Sequence, residues 1–171
     1  MIIPQNKLVK ALVLLVIIIP SIVLYGWIIG SPYLTRVLPS LTPMNPVSAL
    51  CFILLAFSLI LQVWEKSIEH TRMARFIGFL VMLMGIMMLA KYSIGLDFGI
   101  DRIFFESSLG INRMAPNTAI DFVLLGAAIL LYDWKIKKFR PGQVLVGISF
   151  LFSANALIGY FYNLINLYVN N

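Results

Sequence analysis

The sequence predicts an all-helical integral membrane protein, a bundle of five spans, and three features of its 171 residues carry that prediction. Residues of the set AVILMFWYC make up 61% of the chain and charged residues only 12%, against about 25% charged in soluble domains. Uncharged runs approaching or exceeding about 20 residues recur, the length that crosses ~30 Å of hydrocarbon at ~1.5 Å per residue. Lys and Arg, finally, concentrate in alternate links between those runs. A soluble domain of this size would need polar side chains to cover its surface, which such runs do not provide.

The first span is read over residues 11–29, after Lys7 and Lys10, with Pro20 expected to kink it. Its apolar stretch is too long for the core of a cleaved signal peptide and no A-x-A-like site follows, so a retained helix is expected. The second is read over 46–64, the third over 76–90 with Lys91 snorkelling and residues 92–94 extending it, the fourth over 116–132 and the fifth over 144–169. With the N-terminus inside, nine basic residues fall on the cytoplasmic side and four (Arg36, Lys91, Arg102, Arg113) outside. That bias predicts a bacterial inner-membrane protein with a cytoplasmic N-terminus and an outer C-terminus. The inner links, 65–75 and 133–142, are short and charged; the outer links, 30–45 and 94–115, are longer. Longer loops are the usual seat of recognition.

The even-numbered spans repeat. At a constant offset of 70, Met44, Pro46, Ala49, Phe52 and Trp64 match Met114, Pro116, Ala119, Phe122 and Trp134, and Ser48 faces Thr118. Pro suits a first helical turn and Trp a membrane boundary. The odd spans echo each other through Tyr25, Tyr92 and Tyr160. The chain therefore reads as one transmembrane domain, 1–171, with hairpin units at about 8–66 and 74–137 and an incomplete third at 142–171. Two hairpins entering from the same side imply a parallel repeat about the membrane normal.

Two stretches, PMNPVSALCFILLAFSLIL at 43–61 and GIDRIFFESSLGINRMAPNTAIDFVLLGAAILL at 99–131, resemble a multi-pass sensor region. That region precedes PAS, histidine-kinase or diguanylate-cyclase modules in bacterial signalling proteins. Gly99, Ile100, Asp101, Phe104 and the Arg113-Met-Ala-Pro-Asn-Thr-Ala119 block carry the resemblance, and residues 156–162 are similar to the start of the family's third unit. The resemblance implies signal input. Asp121 departs from the pattern, as do the missing sixth span and output domain, and the family names no ligand.

Several polar residues are candidates for a site. Asp121 stands about five residues inside the fourth span, where a carboxyl must meet a protein group or water; a buried charge pair with Lys91 is the specific expectation. Asn45, Ser48, Arg113, Asn117 and Thr118 cluster at the outer starts of the second and fourth spans. Paired helix N-termini there suit either capping or an anionic or carbonyl-bearing ligand. Asp101 and Arg102, with Arg113 and the nearby Asp97 and Glu106, offer a clamp for the outer loop or a set of solvated charges. Phe98, Phe104 and Phe105 suit the headgroup boundary. Met82, Met84, Met87 and Met88 read as gap-filling or lipid-facing side chains. The basic residues 135–140 set topology and touch anionic lipid.

A single cysteine, Cys51, and a single histidine, His70, exclude an internal disulfide and a Cys/His metal set, so no metal and no cofactor are expected. No nucleophile-base pair or phosphate loop can be assembled, so no enzyme is expected. The charge of +6 sets topology rather than marking nucleic acid as a partner. The reading is a membrane-embedded sensory input module, with the bilayer and a further membrane protein or oligomer met through the fifth helix as partners. The alternative is a small accessory or assembly subunit of a larger membrane complex. A half-transporter is a third, weaker for want of polar midplane residues.

Overall fold

The computed structural model describes residues 7–36, 41–63, 67–105, 110 and 112–169, and among these it is all helical apart from one isolated bridge between Ile136 and Phe139. Five helices follow in order: α1 (Lys7–Ile28), α2 (Pro46–Val63), α3 (Ile68–Ile94), α4 (Pro116–Leu130) and α5 (Pro141–Val169), with a 3-10 turn at Ile100–Arg102. Four of them are long and apolar enough to cross a membrane; α4, with 15 residues, is the shorter one. Each helix packs on the next, and α2 also touches α4. We call the end where α2 and α4 begin the upper end, and the opposite end the lower.

The helix limits follow local chemistry. Helix α3 starts eight residues before its uncharged run because Ser67 caps it, its Oγ accepting the His70 N–H at 3.1 Å. His70, the sole histidine, also shares a 2.8 Å hydrogen bond between its Nδ1 and the Ser67 hydroxyl. The helix ends where Gly95 takes a left-handed φ of 73° and closes back on the Lys91 carbonyl. Helix α1 continues through Pro20. Helix α2 begins with Pro at its first turn, after Asn45, whose side-chain oxygen accepts the Val47 N–H at 2.9 Å.

The tightest contact in the bundle is between α3 and α4. A Cβ added to Gly126 would lie 2.6 Å from the Gly78 carbonyl oxygen and 2.8 Å from Met82 Cβ. One added to Gly85 would lie 2.7 Å from the Ala119 carbonyl. Gly78 and Gly85, like Ala119 and Gly126, are two turns apart on one face, so small residues let the two backbones meet. The core sits beside this crossing, where Val47, Cys51 and Leu55 of α2 meet Val81 and Met88 of α3 and Phe122 of α4. Phe52 and Phe122, equivalent in the 70-residue offset, pack edge to face at 5.0 Å. Met88 is core, whereas Cys51 Sγ lies 3.5 Å from Met84 Sδ.

Helix α4 rises only about 22 Å at ~1.5 Å per residue, and the carbonyls at both its ends take donors from other helices. Tyr92 Oη donates to the Met114 carbonyl at 2.6 Å just before α4, and Gln62 Nε2 donates to the Ile129 carbonyl at 3.0 Å in its last turn. At the lower end Ser58 Oγ donates to the Ala74 carbonyl at 2.9 Å, and Arg75 pairs with Asp133 at 3.1 Å. Trp64, and with it the lower end of the expected repeat in α2, lies outside the described residues.

Candidate functional site

Two polar places stand out. The first is the upper end, where three clasps hold the loops onto the helix starts. Trp27 Nε1 donates to the Met44 carbonyl at 2.9 Å, Tyr92 Oη donates to the Met114 carbonyl, and Asn112 Nδ2 donates to the Pro43 carbonyl at 2.8 Å. Met44 and Met114 lie just before α2 and α4, and the carbonyl of each is gripped by an aromatic donor from the helix before it. The third clasp ties the approach to one of these helices to the approach to the other. Phe105 stacks on Trp27 with centroids 6.2 Å apart, while Phe98 and Phe104 are exposed.

Among the residues expected to form an outer vestibule, Asn45 and Ser48 are buried under this cap, and Arg113, Asn117 and Thr118 are half-buried at its edge. Arg113 Nη1 donates to the Asn112 carbonyl at 2.7 Å and the Gly110 carbonyl at 3.1 Å, pinning the approach to α4. The N-cap of α4 is Ala115, without a side-chain bond, so capping explains Asn45 and not Thr118.

The loop clamp centres on Asp97. Its Oδ2 lies 2.6 Å from Arg102 Nη2 and 3.2 Å from Lys91 Nζ, and its Oδ1 accepts the Gly99 N–H at 2.8 Å. That N–H, followed by the Lys91 ammonium and then Arg102, holds the Asp97 carboxyl below its ordinary range. Arg102 thus pairs with Asp97; the side chain of Asp101, its expected partner in the clamp, lies outside the described residues. The Asp-x-Gly turn at 97–99 is the sequence signal that marks Asp97.

The second place is Asp121, and here the structure corrects the sequence. The expected pair with Lys91 does not form. Lys91 stands in the last turn of α3 and turns up to Asp97, whereas Asp121 faces α5 and accepts from Ser149 Oγ at 2.7 Å and Ser153 Oγ at 2.8 Å. Asp121 and Ser149 are 9% and 3% exposed, so the carboxyl is enclosed between two helices. Asp121 faces α5 rather than α3. Ser149 and Ser153, one turn apart on an apolar helix, carried the signal for that partner.

Among the described residues no cluster of three or more His, Cys, Asp or Glu side chains could hold a metal ion. Compared with protein-family models, with curated proteins and with solved structures, the chain matches none. The sensor-region resemblance therefore rests on the residues that carry it.

Proposed function

We propose that the chain is a membrane-embedded sensory input module of a bacterial inner membrane, with its upper end outside and its N-terminus in the cytoplasm. Its α2 and α4 are read as inward-running arms of parallel hairpin units, and α4 as a fifth crossing shortened by neighbours that satisfy its ends. The observation that carries this reading is the set of three upper clasps. They lock the outer loops to the starts of α2 and α4, so a displacement in the loops is passed to two helices whose far ends lie at the cytoplasmic face. The RMAPNTA resemblance and the excess of basic residues at the lower end support it. The second reading, an accessory subunit, is favoured by α5, which is only 11% buried over its apolar window and exposes Phe150, Leu151 and Ile158.

The test places donor and acceptor dyes on cysteines at Glu69 and Lys137, in a Cys51→Ser background, in proteoliposomes. Asn112→Ala, which opens the cross-unit clasp, is expected to change energy transfer at the cytoplasmic end without unfolding the helices. Unchanged transfer, with Asn112→Ala folded, contradicts signal passage through the bundle.

A further inference from the structure

Helices α1 and α5 stand apart on the α2–α4 pair, and between them an apolar groove of about 600 Å³ opens near the lower end. Val13 of α1, Leu55 of α2, Leu125 and Ile129 of α4 and Val146 of α5 are among its walls, and Arg140, just before α5, lines it at the lower end. The groove covers Val9 to Val16 on α1 and runs from Leu125 of α4 to Tyr132 just past its end. Seven residues of rise give it a height of about 10 Å, roughly the outer third of one bilayer's hydrocarbon.

We propose that this groove is a binding site for an anionic phospholipid of the cytoplasmic leaflet. The headgroup phosphate sits on the Arg140 guanidinium and the first part of an acyl chain lies along the apolar walls. The inference rests on the membrane-embedded reading and holds whether or not the module senses. Charge complementarity selects the occupant. Arg140, half-buried, lines the lower end of the groove, and Lys7 and Lys10 occupy the first turns of α1 beside the groove's Val9 and Leu12. The nearby carboxylate Asp133 is engaged by Arg75. Basic pockets between helices on the cytoplasmic side suit phosphate headgroups, since a guanidinium meets a phosphate through paired N–H donors. A zwitterionic lipid brings a choline that these cations repel. The groove's volume falls within the ~300–1,000 Å³ typical of small-molecule sites.

The experiment exposes the full chain to vesicles of phosphatidylglycerol and phosphatidylcholine in equal amounts, then extracts it and counts retained lipids by native mass spectrometry. Phosphatidylglycerol is expected to be retained at least fivefold over phosphatidylcholine. Arg140→Gln should reduce that retention severalfold, as should Val146→Trp, which fills the groove from a half-exposed position and leaves the core untouched. Lys137→Gln with Lys138→Gln, on the exposed link, should leave it near the wild-type level. Equal retention of the two lipids overturns the proposal. So does a Lys137/Lys138 effect as large as that of Arg140→Gln, which would mean diffuse surface attraction. Loss of an oligomer in Val146→Trp without any lipid preference would assign the groove to a protein helix and overturn it too.

Discussion

Removing the hydroxyls that face Asp121 should destabilise the bundle more than removing the carboxyl itself. Ser149→Ala with Ser153→Ala deletes donors at 2.7 and 2.8 Å and leaves a carboxyl that is 9% exposed without those partners. Polar bonds between membrane helices average about 0.6 kcal/mol and reach about 1.7. Two of them amount to about 1–3 kcal/mol, the same range as stranding a buried acceptor. Asp121→Leu with the serines kept should cost less, because a helical serine can turn its hydroxyl to the carbonyl four residues back. The triple variant should therefore unfold near the Asp121→Leu value, giving a coupling of about 1 kcal/mol or more. The assay is a dodecyl sulfate titration in mixed micelles, followed by far-ultraviolet circular dichroism. Costs that add to within about 0.5 kcal/mol would refute the reasoning, since independent sites behave so. Lys91→Met and Asp121→Asn supply the control, and those two changes should be additive.

Other predictions follow from the same packing. Gly126→Val should destabilise by about 1–3 kcal/mol or separate α3 from α4, because its Cβ meets backbone that cannot move aside; unchanged unfolding in the same titration contradicts the close crossing. Gln62→Leu should cost about 0.5–1.5 kcal/mol, the net worth of one hydrogen bond, because the Ile129 carbonyl keeps the Tyr132 N–H, with faster amide exchange in the last turn of α4 as the specific sign. Asp97 carries the pH dependence. Its carboxyl titrates below the ordinary value, so its contribution to holding the loop is complete above that value and is lost as the pH falls through the lowered one. Exchange protection of the 95–103 segment should drop in acid, and Asp97→Asn should lose protection at neutral pH and show little further change; a segment equally protected at both pH values contradicts the clamp.

The helices themselves were legible because helix length and apolarity are local properties of the chain. The order of the five helices, Pro46 and Pro116 in first turns and Asn45 as a cap needed nothing beyond neighbouring residues. The start of α3 lies eight residues before its uncharged run, since such a run marks hydrocarbon and a helix begins only at its cap, here Ser67. The partner of Asp121 was missed for a different reason. Depth along a helix follows from counting, but which neighbour the side chain faces depends on how five helices pack laterally. Residue counting brought up Lys91, and only that lateral arrangement turns Asp121 to Ser149 and Ser153 instead. The Trp27 and Tyr92 clasps were hidden likewise, because their acceptors are backbone carbonyls, which every residue carries.

The central claim is that this bundle crosses the bilayer five times, short α4 included, with the starts of α2 and α4 outside. Single cysteines at Tyr33, Leu96, Glu69 and Lys137, in a Cys51→Ser background in intact bacterial cells, test it with a membrane-impermeant maleimide. The account predicts labelling at Tyr33 and Leu96, and none at Glu69 or Lys137 until the membrane is opened. Labelling of Lys137 from outside together with Leu96 would mean that α4 does not cross, and would contradict the account.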